Sequence, residues 1–305
     1  VSRFAFFLGK GGVGKTTLAS AAAHALSRQS RRVLIVSLDP AHNLGDVFGI
    51  QLRNEPTPMG ERLDGLEVDV AQWVARYLEE SRREIKANYA YNMSLNLDSF
   101  LDILRYAPGT EEYAVLWAIE HVHQTYAGAY DTVVFDTPPT ALALRFLALP
   151  SLSILWMEAL AKLRGQILAK RQTLLRVNPS ATVLKGATDK REDRVYGKLT
   201  SIQERLHSLH ELFTRDSYLT VVMNPDELSL AESLRIREEL DRLGLRLRSV
   251  LLNKAAPGAA IPDGLAERFK DFPIFPSALR PGGIQGLAGL TQVDVSGLVR
   301  HLCEP

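Results

Sequence analysis

Short apolar runs alternate with longer stretches of helical periodicity along this chain. Phe4–Leu8 is uninterruptedly apolar, and so is Val33–Leu38 apart from Ser37. Leu66–Val70 reads as a shorter third strand, Thr132–Phe135, Leu219–Met223 and Val250–Leu252 repeat the apolar pattern, and Pro273–Pro276 reads as a last edge strand. Strands that stay apolar instead of alternating are buried on both faces, and helices between them supply the cover. The first helix is expected over Thr17–Arg28, where five alanines allow close approach to a sheet. The fold class is therefore α/β, a doubly wound and mostly parallel sheet.

Two stretches exceed simple crossovers. From Trp73 to about Tyr126 the helical pattern breaks at Pro108-Gly109. From Leu147 to about Arg215 it breaks at Asn178-Pro179 and around Gly186. Within the second, Trp156, Leu160, Leu163, Ile167 and Leu174 recur at helical spacing, which suits a small core or an apolar binding face equally. The run Asp189–Arg194 reads as a solvated loop or a helix start. One domain over 1–305 is expected, with a helical subdomain inserted from about 73–126 and 147–215.

Composition narrows the possibilities. Of 305 residues, 36 are Lys or Arg and 35 Asp or Glu, a formal charge of +1. That balance argues against a general nucleic-acid binder. The one cysteine, Cys303, rules out an intrachain disulfide and a multi-thiolate zinc site within one chain. The apolar N-terminus reads as a strand, not a signal peptide, since it runs directly into glycines. No unbroken run of about 18 apolar residues occurs. A soluble cytoplasmic protein without direct membrane insertion is the expectation.

The chemistry begins at Gly9-Lys10-Gly11-Gly12-Val13-Gly14-Lys15-Thr16-Thr17. This is a phosphate-binding loop between a strand and a helix, the context the motif requires. Its glycines free the backbone of Gly9, Gly11, Gly12, Val13 and Gly14 to aim N–H groups at phosphate oxygens, joined by the start of the helix at Thr16 and Thr17. Lys15 is expected on the β- and γ-phosphates, and the Thr16 hydroxyl on Mg²⁺. Asp39 ends the second strand, where ligands of parallel sheets bind, and suits the Mg²⁺ or water shell. Asp46, seven residues on, can orient or deprotonate the attacking water. The same segment alone would be an Asp-Pro turn and a helix cap. Asp136 ends the strand Val133-Val134-Phe135-Asp136 and suits the Mg²⁺ shell through water. Pro138 and Pro139 stiffen the loop beyond it.

Lys10 is not needed to cradle phosphates from its own chain. The loop that contains it resembles the deviant phosphate loop of the MinD/ParA and ArsA class of nucleotidases. In that class the extra lysine reaches the partner's nucleotide, so the resemblance implies a homodimer and a catalytic role for Lys10. Asp39-Pro40-Ala41-His42-Asn43-Leu44-Gly45-Asp46 resembles the first switch of the ArsA/GET family, and Asp136–Pro150 its second switch. That family holds the arsenite-pump ATPase and the ATPase that targets tail-anchored membrane proteins. The resemblance also covers Asp226–Ser233, Leu251-Leu252-Asn253-Lys254 and the segment from Pro276 to Leu287. It implies ATP and Mg²⁺ as cofactors, Asp46 as the water-activating residue, Asp39 and Asp136 in the magnesium shell, and nucleotide contacts from Asn43, Pro138, Asn253 and Pro276.

The chain departs from the family at three points. Ala141-Leu142-Ala143 follows Thr140, where a Gly-His pair is common. The zinc-binding and arsenite-capturing cysteines are missing, so no zinc is expected and arsenite capture lacks its soft ligands. The pump subunit is a tandem duplication, and 305 residues correspond to one half. The expectation is a homodimeric ATPase switch whose client is an apolar or tail-anchored protein segment. The energising subunit of an arsenite or anion exporter is one alternative, and a MinD-like scaffold another.

Overall fold

The computed structural model describes residues 2–41, 43–88, 103–177, 187–256, 258, 260–279, 284 and 286–304, without the side chains of 43 and 84–88. The breaks expected at Asn178-Pro179 and Gly186 lie outside these residues, as does His42.

Eight strands form one sheet: β1 (Arg3–Leu8), β2 (Val33–Ser37), β3 (Thr57–Gly60), β4 (Leu63–Glu67), β5 (Thr132–Asp136), β6 (Ser217–Met223), β7 (Leu247–Ala255) and β8 (Ile274–Ala278). Their order is β3-β4-β2-β5-β1-β6-β7-β8. Every neighbouring pair is parallel except β3 with β4. The helices are α1 (Lys15–Ser27), α2 (Asn43–Phe48), α3 (Val70–Asn88), α4 (Thr110–Tyr126), α5 (Thr140–Val177), α6 (Arg194–Glu211), α7 (Glu227–Arg242), α8 (Asp263–Arg268), α9 (Gly286–Leu290) and α10 (Ser296–Cys303).

The expected mostly parallel α/β sheet is present, and its central strands are as apolar as a doubly covered sheet requires. Phe4 to Leu8, Val33 to Val36 and Val133 to Phe135 are all buried. Ala19, Ala21, Ala22 and Ala23 let α1 lie close against the sheet. Each fully buried Leu or Phe here contributes about 1.5–3 kcal/mol.

Two boundaries differ from the sequence reading. The third strand runs Leu63–Glu67, not Leu66–Val70, and Val70 already begins α3. Leu66 and Val68 are both buried, and the Val68 N–H donates to the Ser37 carbonyl at 3.0 Å just beyond the strand end. The antiparallel edge strand β3 was not foreseen, since Thr57-Pro58-Met59-Gly60 combines two residues that depress strand propensity. Helix α1 starts at Lys15, two residues earlier than expected, because Gly14 at φ 93° turns the chain directly into it.

The chain divides into two compact units, Val1–Phe146 with Asp216–Pro305, and Leu147–Arg215. Helices α3 and α4 belong to the first. Tyr77 meets Trp117 edge to face there at 5.1 Å, and Gly109 at φ 91° marks the break before α4. In the second unit, Arg164 donates twice to Asp193, from Nε at 3.0 Å and Nη2 at 2.7 Å. Asp193 also accepts from the Tyr196 N–H at 2.7 Å, capping α6. The charge run is thus an exposed turn from Asp189 to Glu192 that leads into a helix start, where the capping Asp193 is buried.

Helix α5 is the one helix among the described residues long and apolar enough to cross a membrane by length and composition, with a mean hydropathy of 1.6 in its most apolar window. It is not an unbroken apolar run in the sequence, because Arg145 interrupts that segment. Part of it is an ordinary core helix: Ala143, Phe146, Leu147 and Ile154 are buried.

Candidate functional site at the carboxyl edge of the sheet

Strand register brings the site together. Phe7 and Ser37 both pair with Asp136, and Ser37 pairs with Glu67. The ends of β1, β2, β4 and β5 therefore lie side by side, and the loops that leave them share one edge.

The phosphate loop leaves β1. Gly9 sits at φ 150°, and a Cβ there would collide with the Val222 carbonyl of β6. Gly12 at φ 80° and Gly14 at φ 93° occupy the left-handed region that favours glycine. Gly11 and Gly12 are exposed, whereas Val13 is buried beneath them. Helix α1 then begins with no side-chain cap and no acidic residue in its first turn. Its first N–H groups and the positive end of its dipole are left for an anion.

Lys15 is buried, and its Nζ donates to the Lys10 carbonyl at 3.3 Å. Burial pushes its pKa down, and the nearby carboxylates of Asp136 and Asp39 oppose that. Asp136 is buried to 1% exposure. Burial pushes its carboxyl up to about 7, Asp39 adds to the rise, and the Thr16 hydroxyl and Lys15 charge pull the other way. Thr16 is close enough to steady the charge, yet neither carboxylate oxygen has a hydrogen bond of normal geometry. Two orphaned oxygens on a buried carboxylate are costly without a further ligand. Thr16, Asp39 and Asp136 form a hard oxygen set, which suits Mg²⁺ with retained waters. No cluster of three or more His, Cys, Asp or Glu able to hold a metal occurs among the described residues.

Asp39 is half-buried and accepts the Ala41 N–H at 3.0 Å, which shapes the turn into α2. Asp46 is exposed in the first turn of α2. Asn43 opens the same helix. Pro138 is buried, and next to it the Thr137 hydroxyl donates to the Phe7 carbonyl at 2.7 Å. The start of the second switch is thereby tied to the strand that feeds the phosphate loop. Asn253 leaves β7 beside the loop. Its Nδ2 donates to the Val13 carbonyl at 2.7 Å and its Oδ1 accepts the Lys254 N–H at 2.9 Å. Its amide thus braces the phosphate loop, and a Cβ on Gly14 would run into it. Pro276 is exposed on the edge strand β8, three strands from β1 and opposite Leu252 in register. Lys10 is half-buried, and its ammonium has no hydrogen bond or ion pair with another described residue.

Two residues at this edge were given no role by the sequence. Lys254, at φ 57°, donates from Nζ to the Gly12 carbonyl at 3.2 Å. Glu67 is buried, and its Oε1 accepts the Gly45 N–H at 2.8 Å, beside Asp46. No local signal marked Glu67, because its strand, Leu63-Asp64-Gly65-Leu66-Glu67, is not an apolar run like those that end at Asp39 and Asp136.

The family described as anion-transporting ATPase matches residues 2–264. An arsenical pump-driving ATPase of Aquifex aeolicus is 30% identical over 255 residues, 84% of this chain and 81% of that protein. One of Chlorobaculum tepidum is 33% identical over 262 residues, covering 83% of this chain but 61% of its own length. An ATPase get3 of Schizosaccharomyces japonicus is 29% identical over 309 residues, 95% of this chain and 90% of that protein. The chain thus spans about three fifths of the Chlorobaculum relative and most of the other two.

Proposed function

The chain belongs to the anion-transporting ATPase family and is an ATP-hydrolysing enzyme; from that premise we propose that it works as a homodimeric nucleotide switch that holds and releases an apolar helical client. The whole of 1–305 is read as one ATPase domain, with 147–215 as its client-holding part.

At the nucleotide, the backbone N–H groups of the phosphate loop and the start of α1 receive the phosphates, and Lys15 neutralises them. Thr16, Asp39 and Asp136 are the residues that would hold Mg²⁺, which when bound offsets charge on the transferring phosphoryl group. Asp46 orients the attacking water and accepts its proton. Lys10 reaches the partner's nucleotide. Asn43, Pro138, Asn253 and Pro276 frame the nucleotide, and the brace from Asn253 to Val13 keeps the loop in its binding shape. A cytoplasmic location fits a client met before it reaches a membrane.

One observation carries the client reading. Leu152, Trp156, Leu160, Leu163, Ile167, Leu174 and Val177 are all exposed on α5, Trp156 to 70%. At 100° per residue they fall within an arc of about 100°, and from 152 to 177 they extend about 37 Å. Exposed Lys170 is the one charged interruption on that line. A stripe of this width and length matches one apolar helix long enough to span a bilayer, about 20 residues. The helix that carries it starts at Thr140, directly after the second switch.

The test is binding of a 20-residue apolar helical peptide to the wild type and to Leu163→Asp/Ile167→Asp, in ATP and in ADP. The double variant should lose at least about tenfold in affinity, as expected for two charges placed under an apolar contact. Its basal hydrolysis should stay at the wild-type rate. Equal peptide affinity in both proteins would remove the stripe from client binding. Arsenite-stimulated hydrolysis with no peptide binding would favour the anion-exporter reading instead.

A further inference from the structure

From the contact between β4 and α2 we infer that Glu67 is a positioning residue for hydrolysis, holding Asp46 at the nucleotide. This rests on the reading of Asp46 as the water-orienting carboxylate.

Helix α2 has six residues, too few to hold itself as a helix. Its start must be fixed from outside. Glu67, 22 residues further along the chain, does this: its Oε1 accepts the Gly45 N–H at 2.8 Å. A carboxylate on an N-terminal helix amide is charge-assisted and complements the helix dipole. Glu67 is itself well anchored. It closes β4 opposite Ser37 of β2, and its own N–H donates to the Arg53 carbonyl at 2.9 Å. Asp46 follows Gly45 directly and points to the exposed side. The position of the first switch is therefore referred to the sheet edge that carries Asp39.

Gly45 makes the arrangement possible. A Cβ there would lie 2.7 Å from the Ile50 carbonyl and 3.6 Å from Glu67 Oε1. The Ile50 N–H in turn donates to the Gly45 carbonyl at 3.1 Å. A side chain at 45 would therefore force residue 45 and the Ile50 carbonyl apart, and with them the amide that Glu67 holds.

The experiment measures kcat and KM for ATP in Glu67→Ala, Glu67→Gln and Asp46→Asn. Displacing a catalytic group by about 1 Å can cost about 100-fold. Glu67→Ala should therefore lower kcat by roughly 10- to 100-fold while KM stays within about twofold. Glu67→Gln keeps an oxygen in the acceptor position and should recover at least about a third of the wild-type kcat. A general loss of structure would move KM as well, and glutamine would not rescue it. Wild-type kcat in Glu67→Ala, or equal losses in the alanine and glutamine variants, would overturn the assignment. Asp46→Asn inactive beside a fully active Glu67→Ala removes the positioning role alone. Asp46→Asn fully active removes the reading it rests on. Should Glu67→Ala not fold, Gly45→Ala probes the same amide from the other side. It should show the same fall in kcat at constant KM, and wild-type kcat in it would overturn the inference.

Discussion

Asp46 and Glu67 are both carboxylates at the first switch, and only Asp46 could be read from the chain. Asp46 sits in a contiguous segment whose neighbours identify it. Glu67 acts on that segment from 22 residues away, through a hydrogen bond that only the register of β4 on β2 brings about. The phosphate loop is the opposite extreme: strand, glycines, lysine and helix follow one another, so local order alone defines the cradle. Asp136 lies between, marked by its place at a strand end. What the sequence could not show is its burial and its lack of a normal hydrogen bond, the observation that suits a bound cation. At this scale the expectation for Asp46 is direct. An amide at 46 can still accept a hydrogen bond from water but no longer takes its proton. Asp46→Asn should lower kcat at least about 100-fold, within the range for a general base, with nucleotide affinity kept. Phosphate release and fluorescent-nucleotide titration measure the two separately, and unaltered turnover would exclude Asp46 from the reaction.

Among the elements, the central strands were legible because burial on both faces leaves no polar alternation to confuse them. β3 was not, since a proline and a glycine at an edge look like a turn until β4 is placed beside them. The stripe on α5 shows the limit of periodicity. Trp156, Leu160, Leu163, Ile167 and Leu174 repeat at helical spacing whether they face a core or solvent, and spacing carries no information about the medium. Buried Ile154 and Leu168 are set at other angles on the same helix. The second unit also shows how a charge run is used. The Asp193 side chain is 5% exposed, and the Arg164 guanidinium beside it, 26% exposed, holds its carboxyl below the usual range. Asp193→Ala removes a helix cap and two charge-assisted bonds, a loss of about 2–4 kcal/mol for the 147–215 unit. The pH effect has a definite sign. With the folded pKa depressed, the contribution is complete above about pH 4, the unfolded value, and is lost as pH falls below it. Far-UV circular dichroism melts at pH 7 and pH 3 should therefore show the variant less stable at pH 7 and the gap to wild type narrowing at pH 3. A constant gap would separate the pair from the acid response.

For the whole molecule, a formal charge of +1 means that no general field steers ligands, so individual cations carry the electrostatics. At the phosphate loop three lysines have three different fates. Lys15 is buried against the Lys10 carbonyl and faces Asp136 and Asp39. Lys254 is spent on the Gly12 carbonyl. Lys10 has no hydrogen bond or ion pair with another described residue, though it stands beside the site where the most negative ligand binds. A cation in that position has work left to do, and a nucleotide on a second copy of the chain is the acceptor consistent with the family's loop. Truncating one side of a desolvated charge contact at an interface costs about 2 kcal/mol or more, roughly 30-fold in the dimer dissociation constant. Lys10→Ala, placed in an Asp46→Asn background so that ATP persists, should therefore lose the ATP-induced shift in sedimentation coefficient at protein concentrations where the parent dimerises. Its affinity for nucleotide as a monomer should stay within about threefold, because the loop amides and Lys15 remain. An unchanged shift would confine Lys10 to its own chain, and an equal loss of monomer affinity would make it part of the cradle instead of a bridge between copies.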